Sequence, residues 1–109
     1  MKAKDIIELE KNVITLIEHD AIIARFDDTS MLDRDEALAK YGKFNNEHPE
    51  FYDLHKDICE SQGCLTNLGE TDNKTIVDNM KCQRDWLYKK SISKFGEEIL
   101  KEFIHRTRD

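Results

Sequence analysis

An all-α fold, a small bundle of about four helices forming one domain over residues 1–109, is what this sequence predicts, and three observations predict it. Apolar residues recur at three- and four-residue steps over long stretches at both ends of the chain. Only four glycines and one proline occur in 109 residues, and Gly42, Pro49, Gly63 and Gly69 punctuate the chain between periodic segments. No alternation of apolar and polar residues with period two, the mark of a half-buried strand, persists beyond a few positions.

The first element runs from Lys4 to about Phe26, where Ile6, Leu9, Val13, Leu16, Ile17 and Ala24 share one side of a helix that no glycine or proline interrupts. Ser30 or Asp33 then caps a second, short helix, with Glu36 three residues beyond Asp33 as in a capping box, and Gly42 is expected to end it. Pro49 suits the first position of a third helix because its missing N–H would be unpaired there, and Gly63 suits the stop, so this helix spans about 49–61. From Asn73 to about His105 only Gly96 interrupts a pattern that places Ile76, Met80, Leu87, Ile92, Phe95, Ile99 and Phe103 on one face. This last element is one long helix or two with a kink near Ser91–Ser93. Ile6, Leu9, Val13, Leu16, Leu54, Ile58, Ile76, Met80, Ile92, Phe95, Ile99 and Phe103 are the expected core.

Charge narrows the function classes. With 17 Lys and Arg against 23 Asp and Glu the net charge is −6, the wrong sign for neutralising phosphates, so nucleic acid is not the expected partner. Residues 27–57 hold nine acids against four bases, a local balance of −5, while 73–109 carry +3. The segment "FDDTSMLDRDE" has more carboxylates than helix caps need, and Asp27, Asp28, Asp33, Asp35 and Glu36 are the candidate docking residues for a basic protein. The same segment lacks the glycine that a calcium loop requires at its sixth position. Trp86, Leu87 and Tyr88 follow one another on the last helix, and neighbours point about 100° apart, so they cannot all face one partner helix. Trp86 or Tyr88 therefore either meets a second protomer or another partner, or is enclosed by a core that surrounds the helix on two sides.

A metal site is the alternative. "HPEFYDLHKDICESQGC" puts His55 and Cys59 on one helical face, with Cys64 just past the expected stop and Cys82 as a distant fourth ligand; the short paired CxxC knuckles typical of structural zinc are missing. "EFIH" offers one Glu-x-x-His spacing, from Glu102 to His105, where a di-iron bundle needs two. A helix-turn-helix reading of "DEALAKYGKF" fails because the recognition helix would carry Pro49 and more acid than base. No nucleophile elbow, phosphate-cradling glycine loop or distinctive carboxylate pair is present.

The expectation is therefore a non-enzymatic acidic helical protein, with no cofactor, that inhibits or adapts a basic protein in the manner of an immunity or anti-defence protein. Self-association is compatible with it. The remaining alternative is a nucleotide or small-ligand binder at a subunit interface near Arg84 and Trp86. "MKAKDIIELEK" meets acids before any apolar run and no stretch approaches the ~20 apolar residues of a membrane span, so a cytoplasmic protein without membrane contact is expected.

Overall fold

A computed structural model describes residues 1–27, 34–51, 53 and 73–108, and among them there is no strand. Four helices carry the fold: α1 (Ala3–Asp27), α2 (Arg34–Glu47), α3 (Asn73–Phe95) and α4 (Glu97–Arg108). Helical backbone also covers 49–51 and 53, the beginning of the expected third helix; the rest of that helix, with Leu54 and Ile58, lies outside the described residues. The small all-α bundle is thus the architecture of this chain.

The helices pack around α1. Glu8 pairs with Lys94, Asn12 Nδ2 donates to Ser91 Oγ (3.3 Å), His19 meets Gln83, and Arg84 donates to Asp20 (3.0 Å), so each step up α1 is matched by a step down α3 and the two are antiparallel. Between them Leu9, Val13, Leu16, Ile76, Met80 and Leu87 are buried. Each such side chain contributes about 1.5–3 kcal/mol when removed from water. α2 lies antiparallel along another side of α1, where Arg25 pairs with Glu36 and Lys40 donates to Glu18 (2.6 Å). These half-exposed ion pairs are worth about 0.2–1 kcal/mol each, so they set the register of helices that the core holds together.

Two helix boundaries differ from expectation. α2 does not stop at Gly42 but continues through it to Glu47, and the stop falls at His48 before Pro49. A glycine inside a helix costs about 0.5–1 kcal/mol against alanine, less than is recovered by burying Tyr41 and Phe44 on either side of it. The His48 amide closes the last turn onto the Phe44 carbonyl (2.8 Å), and the Phe51 amide bonds the His48 carbonyl (3.0 Å), so the chain restarts a helix within one turn. A Cβ at Gly42 would meet nothing within 4 Å. Gly42→Ala is accordingly expected to stabilise the protein by about 0.5–1 kcal/mol, read as a higher denaturation midpoint in urea.

The second correction concerns the last helix. It is continuous through Ser91–Ser93, where Ser91 is buried against Asn12, and breaks instead at Gly96, whose φ of 96° only glycine adopts at low cost. The Gly96 amide caps α3 through the Ile92 carbonyl (2.9 Å), and the Gly96 carbonyl accepts the Leu100 amide (3.1 Å) to start α4. α4 then folds back, bringing Arg108 to Asp20 (3.0 Å) beside Arg84. Leu100 and Phe95 are buried, while Ile92, Ile99 and Phe103, expected in the core, pack against it half-buried. Ile6 is the clear exception among the expected core residues: it is 36% exposed, and Ala24 is exposed with it.

Candidate partner-binding face

α1 is enclosed on three sides. α2 lies along the side bearing Glu18 and Arg25, α3 along Glu8, Asn12 and His19, and α4 against Asp20. The fourth side carries Ala3, Ile6, Ile7, Ile14, Ala21 and Ala24, all exposed, with Ile7 at 59% and Ile14 at 47%. Their spacing aligns them in one strip about 30 Å long. Exposed isoleucines scattered singly are ordinary, but a continuous strip of them is not.

Two exposed charges, Glu10 and Lys11, border the strip on opposite sides between Ile7 and Ile14. Glu10 is exposed midway between Ile7 and Ile14, and it has no ion-pair partner among the described residues. Glu8, Glu18 and Asp20 of the same helix are each bonded to a Lys or Arg of another helix. The face thus presents apolar surface with the unpaired Glu10 on one side of it and Lys11 on the other.

Of the residues singled out as docking candidates, the structure describes Asp27, Asp35, Glu36, Trp86 and Tyr88. Asp27 closes α1, Asp28 and Asp33 lie outside the described residues, and Asp35 is exposed in the first turn of α2, where its charge complements the helix dipole. Glu36 is tied to Arg25 and links α2 to α1. Trp86, Leu87 and Tyr88 point in three directions within the fold. Trp86 packs edge-on against Phe44 (6.0 Å between centroids) and Phe51 (5.4 Å), Leu87 is buried, and half-buried Tyr88 turns toward α4 beside Lys101. Arg84 faces Asp20, about 200° around the helix from Trp86, so these two do not share a pocket.

Of the metal candidates, His55, Cys59 and Cys64 lie outside the described residues. Cys82 is half-buried, and burial, with help from the nearby Asp85 charge, pushes its thiol pKa up, away from the thiolate a metal needs. Among the described residues no three His, Cys, Asp or Glu side chains gather as metal ligands. Glu102 is bonded to Arg106 (2.5 Å) and His105 is exposed.

The structure also holds a buried polar line that charge and motif reading passed over: Asn12, Thr15 and His19 on α1 against Asn79, Gln83 and Ser91 on α3. Its signal lies in the sequence, since Asn12, Thr15 and His19, and likewise Asn79 and Gln83, recur at three- and four-residue steps beside core isoleucines and leucines. His19 Nδ1 donates to the Thr15 carbonyl (3.0 Å), and Gln83 Oε1 lies 2.9 Å from Nε2. Burial lowers the His19 pKa, outweighing these bonds and the Glu18 and Asp20 charges, so the ring is neutral and Nε2 must accept. Turning the Gln83 amide end for end supplies the donor and pairs its NH2, otherwise without a partner among the described residues.

His48 is neutral for the same first reason, burial, reinforced by Lys90 and opposed by Glu50 and Glu47. Both rings stay uncharged in the fold but take up protons in the unfolded chain as pH falls through its ordinary imidazole value of about 6.5. Their contribution is fully present above that pH and is lost below it. The melting temperature is therefore expected to fall between pH 7.5 and 5.5, before most carboxylates titrate, which calorimetry across that range would show.

Among the described residues no helix is long and apolar enough to cross a membrane. Comparison with protein-family models, with curated proteins and with solved structures finds no match to this chain.

Proposed function

We propose that this chain is a non-enzymatic binding domain whose partner is a basic protein, docked through an amphipathic helix laid along the open side of α1. The observation that supports it is the exposed strip Ala3, Ile6, Ile7, Ile14, Ala21 and Ala24 with Glu10 beside it. A straight apolar strip at helical spacing fits another helix, whose apolar residues would cover the isoleucines. Glu10 then selects the partner by charge. Covering an unpaired carboxylate costs several kcal/mol unless a cation meets it, so the docked helix carries Lys or Arg opposite that position.

A second copy of this chain is the competing occupant, because exposed Lys4 and Lys11 border the same strip and offer it cations to meet Glu10. The net charge of −6, with −5 over residues 27–57, steers a basic partner during encounter.

The test uses a labelled peptide of leucine heptads carrying lysines on its polar face, and a counterpart with glutamates in place of the lysines. The lysine peptide is expected to bind the wild-type protein and to lose at least tenfold in affinity for Glu10→Lys, while the glutamate peptide gains. Neutralising Asp27, Asp28, Asp33 and Asp35 to Asn is expected to slow association and flatten its salt dependence. Equal binding of both peptides to both proteins would remove the charge selection, and a tight homodimer in sedimentation velocity would replace the proposed partner with a second copy.

A further inference from the structure

On the other flank of α1 a groove of about 580 Å³ opens between α1, α3 and α4. Its volume falls within the roughly 300–1,000 Å³ of small-molecule sites. Ile17, Tyr88 and Ile104 supply apolar walls, and Asp20, Arg84 and Arg108 meet at its edge. Asp20 accepts one bond from each guanidinium, Oδ1 from Arg84 Nη1 (3.0 Å) and Oδ2 from Arg108 Nη2 (3.0 Å). Arg84 spends two further donors on Asp85 Oδ1 (3.2 Å each).

Arg108 is used differently. Of the five N–H donors of a guanidinium it commits one, to Asp20, among the described residues, and its side chain is 53% exposed on the lining of the groove. Lys101, also on the lining, is already paired with Glu97 (2.9 Å), so the groove edge is charge-balanced and its uncommitted donors are chiefly those of Arg108. The carboxylate of Asp20 marks where two guanidiniums already hold an oxyanion, and the remaining Arg108 donors are placed for a second one beside it.

We propose that this groove binds a small amphipathic oxyanion, a carboxylate or phosphate monoester on an apolar body, with its head on Arg108 and its body against Ile17, Tyr88 and Ile104. The groove adjoins the α1 partner face at Ile17, which neighbours Ile14 and Ala21, but its test reads Arg108 on α4 and so is separate from the test of that face.

Proton–nitrogen NMR titrations with octanoate, octyl phosphate, acetate, inorganic phosphate and octanol test it. Octanoate or octyl phosphate is expected to shift the Tyr88 and Ile104 amides and to saturate at about 1 mM or tighter. The better of the two identifies the head group. Acetate, inorganic phosphate and octanol, which supply head or body alone, are expected to bind at least tenfold more weakly. Arg108→Ala, in an exposed last turn, should keep the dispersed spectrum of the fold while weakening the amphiphile about tenfold, and Arg108→Lys should restore part of that loss. Octanol binding as well as octanoate, unchanged affinity in Arg108→Ala, or no saturation by either amphiphile would overturn the assignment.

Discussion

Phe44→Ala is expected to destabilise the protein by about 3–5 kcal/mol, the range for truncating a buried phenylalanine. Phe44 is 1% exposed and joins three elements at once. Its ring centroid lies 5.1 Å from His19 on α1, 4.8 Å from His48 at the end of α2, 5.3 Å from Phe51 and 6.0 Å from Trp86 on α3. Truncation leaves a cavity that no single neighbour can fill, because each is held from another side, and it removes tilted and edge-on ring contacts worth about 0.5–1.5 kcal/mol per pair. A domain of this size is stable by about 5–15 kcal/mol, so the melting temperature should fall by roughly 10–25 °C. Thermal unfolding followed by circular dichroism measures it, with exposed Lys43→Ala as the control. A loss under 1 kcal/mol would show that Phe44 is not the link between α2 and the core.

Gln83→Leu is expected to cost about 1–3 kcal/mol even though it puts an apolar side chain in a fully buried position. The cost arises at His19. Its Nε2 lone pair would lose its only hydrogen-bond partner among the described residues while the ring stays buried. Replacing both partners removes the unpaired group, so the double variant His19→Leu with Gln83→Leu should recover much of that loss. Its melting temperature should also depend less on pH below about 6.5, leaving the share due to His48. Urea denaturation of the three variants closes the cycle, and strict additivity of the single effects would deny that the two residues act as a pair.

What could be read from residues alone follows from how packing treats a helix. The three- and four-residue recurrence located α1 and the helical stretch from Asn73 because it concerns only the chain's own repeat. It could not say which side of α1 faces inward. Leu9, Val13 and Leu16 form one apolar side, Ile7, Ile14 and Ala21 another, and Ile6 lies at the edge between them, so its exposure depends on where α2 and α4 pack. Gly42 reads as a stop in the sequence, but helix propensity is a small term beside the burial of Tyr41 and Phe44, which carries α2 through it. Gly96 is visible in the sequence as an interruption, but the choice between one long helix and two with a kink near Ser91–Ser93 depends on a contact that local pattern does not show: the hydrogen bond that lets Ser91 be buried comes from Asn12, 79 residues away. The groove edge was beyond sequence reasoning for a similar reason: Asp20, Arg84 and Arg108 are brought together by the return of α4 at Gly96.

The most direct measurement on the proposed binding role is a titration of the labelled lysine–leucine peptide into wild type and into Ile14→Glu, whose site is 47% exposed on α1 and contributes little to the core. Docking along the α1 strip predicts at least a tenfold weaker affinity for Ile14→Glu at an unchanged melting temperature. The same affinity for both proteins would contradict it, and would mean that the open side of α1 is not where this protein meets its partner.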